Sequence, residues 1–196
     1  QPSFNMIAGY DTSVSEYFVL DATGSKVFFR SYSGNIGDAK DAIVSSLIPS
    51  GSTATVMKAE DGSERLLIKI ANASASVMAY YLLDSNLILY CFEIGYGSNA
   101  KLLSTISDRS CVEPLEIFLS RSAVNKLLIT QIEDSSGNKI VLSYIDEGIN
   151  NQARLIDAKL YLKITAAGYS SNSLEQVNYA YQYLSDISTY VMNQAE

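Results

Sequence analysis

Carboxylates, tyrosines and two cysteines are the side chains with which this sequence could do chemistry, because it contains no histidine. Histidine is the usual general base, metal ligand and partner of a nucleophile. Its absence closes Ser-His-Asp and Cys-His catalysis and histidine-ligated zinc. Two carboxyls facing a cleft can still hydrolyse a glycosidic bond. Glu113 and Glu116 bracket Pro114-Leu115, and Asp146-Glu147 ends an expected strand. Acids this close in sequence are more often solvated loop groups, and nothing around them foretells a raised pKa. Glu93 is more unusual, standing in an apolar run just before Gly95-Tyr96-Gly97. Arg65, Arg154, Glu93 and Tyr96 are the candidates for a histidine-free glycosidase or nucleoside-bond hydrolase, although no spacing singles them out.

No metal or cofactor site is expected. Asp21-Ala22-Thr23-Gly24-Ser25 and Asp134-Ser135-Ser136-Gly137-Asn138 carry several oxygen ligands. Neither has the spacing or terminal glutamate of a calcium loop, so both read as turns. There is no Walker A pattern and no Gly-x-Gly-x-x-Gly. Cys91 and Cys111 can form only one pair, closing a loop of about twenty residues worth roughly 3 kcal/mol in the chain-entropy view. That bridge is expected to be structural, since neither cysteine lies in a Cys-x-x-Cys motif. Asn72-Ala73-Ser74 is a formal N-glycosylation sequon between two expected strands.

The fourteen tyrosines are the strongest positive signal. On an expected C-terminal helix, Tyr179, Tyr183 and Tyr190 fall within about 40° of one another. They lie on the flank opposite Leu174 and Val177. Tyrosine joins a large apolar ring to a hydrogen-bonding tip and is enriched at interfaces. These three, with the Gly95, Tyr96 and Gly97 loop, form the candidate binding surface.

The elements that must position these residues read mainly as strands. Tyr17 to Leu20 and Lys26 to Arg30 flank a turn, as do Thr53 to Ala59 with Leu66 to Ala71, Ser76 to Leu83 with Leu87 to Ile94, and Leu127 to Ile132 with Lys139 to Ile145. Gly95 to Asn99 breaks the pattern and opens an irregular stretch as far as Pro114. Ala39, Ala42, Ile43 and Leu47 suggest a short helix over residues 38–48, with Asp38 as its cap. Leu174, Val177, Tyr181, Leu184, Ser188 and Val191 suggest a long helix over 173–193 packed on one face of the sheet. Asp21 to Val27 resembles Asp134 to Ile140 in type at nearly every position, as duplicated halves or as recurring turn chemistry. The expected fold is α+β, a mainly antiparallel twisted sheet with these two helices, in one domain spanning 1–196. An all-β sandwich with a peripheral terminal helix is the alternative.

The composition bounds the partners. Fourteen lysines and arginines against 21 acids give a net charge of −7, and no basic run tracks phosphates, which argues against nucleic acid. The acidic balance favours another protein, of basic character, as partner. No apolar stretch approaches the roughly 20 residues of a membrane-spanning helix. The sequence begins Gln1-Pro2, which reads as the product of a removed secretory signal, hence a secreted or periplasmic protein. The leading expectation is an exported, non-catalytic protein-binding domain of the inhibitor, immunity or surface-assembly type. The alternatives are the histidine-free hydrolase above and a carrier of a small apolar ligand held between the sheet and the last helix.

Overall fold

A computed structural model of the chain describes residues 6–21, 23–110, 115–121, 127–147, 152–165, 168–169, 173–184 and 189–195. The polypeptide falls into two compact units, Gln1–Pro114 and Leu115–Glu196.

The first unit is a closed antiparallel barrel of eight strands. These are β1 (Ile7–Asp11), β2 (Glu16–Leu20), β3 (Lys26–Ser31), β4 (Thr53–Ala59), β5 (Leu66–Ala71), β6 (Val77–Leu83), β7 (Ile88–Tyr96) and β8 (Ala100–Asp108). Each pairs with the next, and the ring closes where Ile7, Ala8 and Gly9 of β1 pair with Leu102, Lys101 and Ala100 of β8. Gly9 makes that closure possible through close approach. A Cβ there would meet the Asn99 carbonyl oxygen at 2.7 Å and Ala100 Cβ at 2.8 Å. The Tyr10 amide, next in the chain, donates to Asn99 O at 2.9 Å.

Paired residues on neighbouring antiparallel strands share a face, so the register separates the two sides of the barrel wall. Met57, Leu67 and Leu82 form one inward row, and Lys69, Tyr80, Phe92 and Leu103 another. Except for Lys69, all of these are buried. The outward side of the β4–β7 wall is covered by helix α1 (Asp38–Ser46), inserted between β3 and β4. Val44 of α1 packs in one cluster with Leu66, Ile68, Ile70, Leu83 and Leu89, joined by Ile43 and Leu47. α1 lies where the apolar spacing placed a short helix. Its N-cap is Gly37, at φ 86°, and Asp38 sits inside the first turn rather than capping it.

The second unit is an antiparallel sheet in the order β9 (Glu116–Arg121), β10 (Leu127–Glu133), β11 (Lys139–Glu147), β12 (Gln152–Tyr161), β15 (Glu175–Leu184) and β16 (Thr189–Ala195). A two-stranded ribbon of β13 (Lys163–Thr165) and β14 (Gly168–Tyr169) lies between β12 and β15 in the chain.

These findings overturn the α+β expectation. The long helix over 173–193 does not exist: its segment supplies β15 and β16, and α1 is the one helix among the described residues. The same segment carries a second periodicity, in which Val177, Tyr179, Tyr181 and Tyr183 alternate with Gln176, Asn178, Ala180 and Gln182. Alternation with period two is the strand pattern, and tyrosine and valine favour it. Pairing of Asp157 to Leu160 with Asn178 to Glu175 settles the competition in favour of the strand. The terminal helix of the sandwich alternative fails for the same reason. Nor does Gly95 to Asn99 open an irregular stretch. β7 runs through Gly95 to Tyr96, a short turn follows, and β8 returns at Ala100.

Four hairpins share one turn. The Asp21, Asn72, Asp84 and Asp134 amides each donate to the carbonyl four residues on, and each of their carbonyls accepts from the residue three on. That third residue is left-handed in every case: Gly24 (φ 88°), Ala75 (φ 61°), Leu87 (φ 63°) and Gly137 (φ 84°). In each turn the first side chain's Oδ1 also accepts the amide four residues later. The Asn72 and Asp84 turns lack the glycine, so turn chemistry is sufficient to explain the likeness of Asp21–Val27 to Asp134–Ile140.

Candidate functional site

The barrel opens at the end formed by the β1–β2, β5–β6 and β7–β8 turns. Between them lies a cavity of about 530 Å³ lined by Tyr10, Tyr17, Lys69, Tyr80 and Lys101, and by Ala75 to Val77 and Gly95 with Gly97 to Ala100. An eight-stranded barrel is just wide enough to be filled by its own side chains or to hold one small ligand. Below this mouth the interior is filled, by Phe29, Met57, Leu67, Phe92 and Leu103, each at most 1% exposed.

The contacts at the mouth cross the barrel. Lys69 on β5 donates from Nζ to the Tyr17 hydroxyl on β2 at 2.9 Å, and its ammonium lies 5.1 Å from the Tyr17 ring centre. The Tyr17 ring is 4.9 Å from that of Tyr10, tilted by 57°, and 6.2 Å from that of Tyr80, tilted by 59°. These tilted arrangements are the favoured ones for aromatic pairs. Burial, with Tyr17 beside it, pushes the Tyr80 phenol up to about 12.

Four cations elsewhere in the unit pair with carboxylates. Lys58 pairs with Glu64 at 3.1 Å, Arg30 with Glu16 at 3.1 Å, and Lys26 and Arg65 with Asp11 and Asp61. The two lysines of the mouth have no carboxylate partner among the described residues. Lys69 has the Tyr17 oxygen, and Lys101 donates to the Glu93 backbone carbonyl at 3.3 Å. Among the described residues no carboxylate side chain lines the cavity.

Gly95 and Gly97 border this cavity, whereas Tyr96 does not line it and stands 44% exposed. The three tyrosines expected on one helix flank are strand residues instead. Tyr179 and Tyr183 lie on β15 and Tyr190 on β16, with Tyr183 directly opposite Tyr190 and Tyr179 opposite Ala195. Their side chains lie outside the described residues. The helix flank proposed for them therefore has no counterpart, and neither does a carrier space beneath a terminal helix.

The hydrolase candidates are not drawn together. Arg65 pairs with Asp61 at the barrel end opposite the mouth, Glu93 is exposed on the outward side of β7, and Arg154 belongs to β12 of the second unit. Glu113 lies outside the described residues, as do the side chains of Asp146 and Glu147. Glu116 begins β9. The Asp21 and Asp134 carboxyls are held below their usual range by hydrogen bonds from their own turns, first from Thr23 and Asn138. Among the described residues no group of three or more acids and cysteines could hold a metal ion, and no helix is long and apolar enough to cross a membrane. Cys91 is a buried free thiol on the outward face beside Tyr81, pushed up to about 12 by burial. Its expected partner Cys111 lies outside the described residues.

Tyr10, Tyr17, Lys69, Tyr80 and Lys101 of the mouth were not singled out in the sequence, and of these Lys69 was the one with a signal of its own. That signal was a single lysine inside the apolar run Leu66-Leu67-Ile68-Lys69-Ile70-Ala71. A charge in the middle of a strand buried on both sides requires a polar place to go.

No family model matches the chain, and no curated protein matches it. Among solved structures, the chain is similar to the N-terminal domain of the effector protein SpvB from Salmonella typhimurium strain LT2. The identity is 10% and the TM-score 0.55, over 99% of this chain and 86% of that one. At that identity the likeness concerns the fold alone.

Proposed function

We propose that this chain is a non-catalytic recognition protein that binds its target through the mouth of the barrel. The observation that carries this reading is the cavity of about 530 Å³ walled by Tyr10, Tyr17 and Tyr80. Its volume falls in the range of small-ligand sites, roughly 300–1,000 Å³. Strands fix the tyrosines, and turns form the rim, the usual division between rigid scaffold and recognising loops. Tyrosine supplies large contact area at low entropic cost. The target enters as a group projecting into the mouth, such as a side chain or terminus of a partner protein or a free small molecule. The acid pair that histidine-free hydrolysis needs has no seat here among the described residues, none of whose carboxylates lines the cavity.

The test is a ligand-observed NMR screen of fragments and dipeptides against the whole chain and against Ser98→Trp, which plugs the mouth from an exposed turn position. Binders to the wild-type chain are expected to lose their signal with the plugged variant, whose circular dichroism stays unchanged. A screen whose hits ignore the plug, or that yields none, overturns the reading.

A further inference from the structure

We infer that the mouth selects an anion carried on a flat ring, a carboxylate or phosphate monoester whose charge meets Lys69 while its ring lies among the tyrosines. This rests on the mouth being the binding site. The chain as a whole carries −7, yet among the described residues the mouth holds two ammonium groups and no carboxylate. An ammonium taken partly out of water without a counter-charge is costly. Lys69 meets that cost only with a neutral phenol oxygen and the Tyr17 ring face. An ammonium has three donors, and the one to Tyr17 leaves two for a ligand. Lys101 places a second positive charge on the same cavity, and Ser76, Ser98 and Asn99 bring polar groups to its rim.

The tyrosines set the rest of the ligand. Tyr10 and Tyr80 flank Tyr17 at tilts of 57° and 59°, so edges and faces are both presented to a ring entering the cavity. An aliphatic anion would meet the lysines without using these walls. A neutral ring would use the walls and leave both charges uncompensated. Only a ring bearing a negative group uses both features.

Calorimetry on the full chain tests this with benzoate, phenyl phosphate and the neutral isostere benzamide. Benzoate or phenyl phosphate is expected to bind at least about tenfold more tightly than benzamide, as for a hydrogen bond between charged groups, and the stronger of the two identifies the headgroup. Lys69→Met is expected to abolish the preference for the anion and Lys101→Ala to reduce it. The wild-type benzoate-to-benzamide ratio reads the same property should Lys69→Met fail to fold. Equal binding of benzoate and benzamide, with both lost in Ser98→Trp, overturns the charge selection and leaves the mouth as the site. Binding of all three that ignores Ser98→Trp overturns both. Absence of anion binding at millimolar concentration overturns the selection.

Discussion

Strand β5 is buried on both sides, yet its two sides face different surroundings. Leu66, Ile68 and Ile70 look outward into a wholly apolar cluster under α1. Leu67, Lys69 and Ala71 look inward, and there the environment changes along the strand, from filled interior at Leu67 to open polar mouth at Lys69. The outward face is closed by a helix that packs Val44, Ile43 and Leu47 on it and reaches the start of the strand with one polar contact, from Lys40 to the Glu64 carbonyl. The inward face is closed at one end by tyrosines that keep a polar atom at their tips. A single strand therefore gives the core one whole set of side chains, and divides the other between the core at Leu67 and the open mouth at Lys69.

The largest expected effect treats the two faces alike. Phe92→Ala inside the barrel should cost about 3–5 kcal/mol, and Ile68→Ala beneath α1 about 2–5 kcal/mol. Urea unfolding gives both values. A much smaller loss for Ile68→Ala would show that α1 covers its face loosely and would break the symmetry of burial. Ile68→Ala should leave ligand binding at the mouth unchanged, since its side chain lies on the other side of the wall.

Alkaline pH should weaken both faces together. Tyr80 faces inward with its phenol pushed up to about 12, and Cys91 faces outward with its thiol pushed up to about 12. Burial is the first cause in each case. Both groups hold their proton more tightly in the folded chain than in the unfolded one. Their contribution is complete below the ordinary values, 10.0 for tyrosine and 9.0 for cysteine, and is lost as the pH rises from there towards 12. Urea midpoints measured from pH 8 to 12 should fall. Tyr80→Phe should remove part of the inward contribution and Cys91→Ala part of the outward one, since burial also raises the phenols of Tyr90, opposite Leu82, and Tyr81, opposite Cys91. A slope unchanged in both variants would place the loss elsewhere.

The smallest effects belong to the turns. Ala75 at the mouth and Gly24 at the opposite end occupy the same left-handed position of the same turn, and a Cβ at Gly24 meets nothing within 4 Å. Ala75→Gly should therefore stabilise by about 0.5–1 kcal/mol, and Gly24→Ala should destabilise by a similar amount. Chemical denaturation of the two variants side by side tests the equivalence. Opposite signs are expected, and equal signs would show that the rim turn is held by something other than its own geometry.

These turns were also the most legible part of the sequence, because their chemistry is local: an Asp or Asn side chain folds back on its own backbone within five residues. The short helix was readable for the same reason. The C-terminal segment was not, since it carries helical and alternating patterns at once, and the choice is made by β12, which lies outside the segment. The mouth was half legible. Gly95 and Gly97 stood out as chemistry at a break in the pattern, but Lys69 meets Tyr17 only after four strands have curled round to bring them together. Barrel closure had no local signal beyond a glycine at position 9.

That glycine stands in the pairing that is last to form. Every other pairing in the barrel joins strands consecutive in the chain, whereas the β1–β8 pairing joins its first residues to its last. Loop-closure entropy makes such a contact the latest and slowest to form. Until it forms, β1 and β8 are two bare edges, each able to template a neighbouring copy. A bulky residue at position 9 would prolong that exposed stage and would also crowd Asn99 and Ala100 in the closed barrel, so aggregation during refolding would accompany a lower melting temperature.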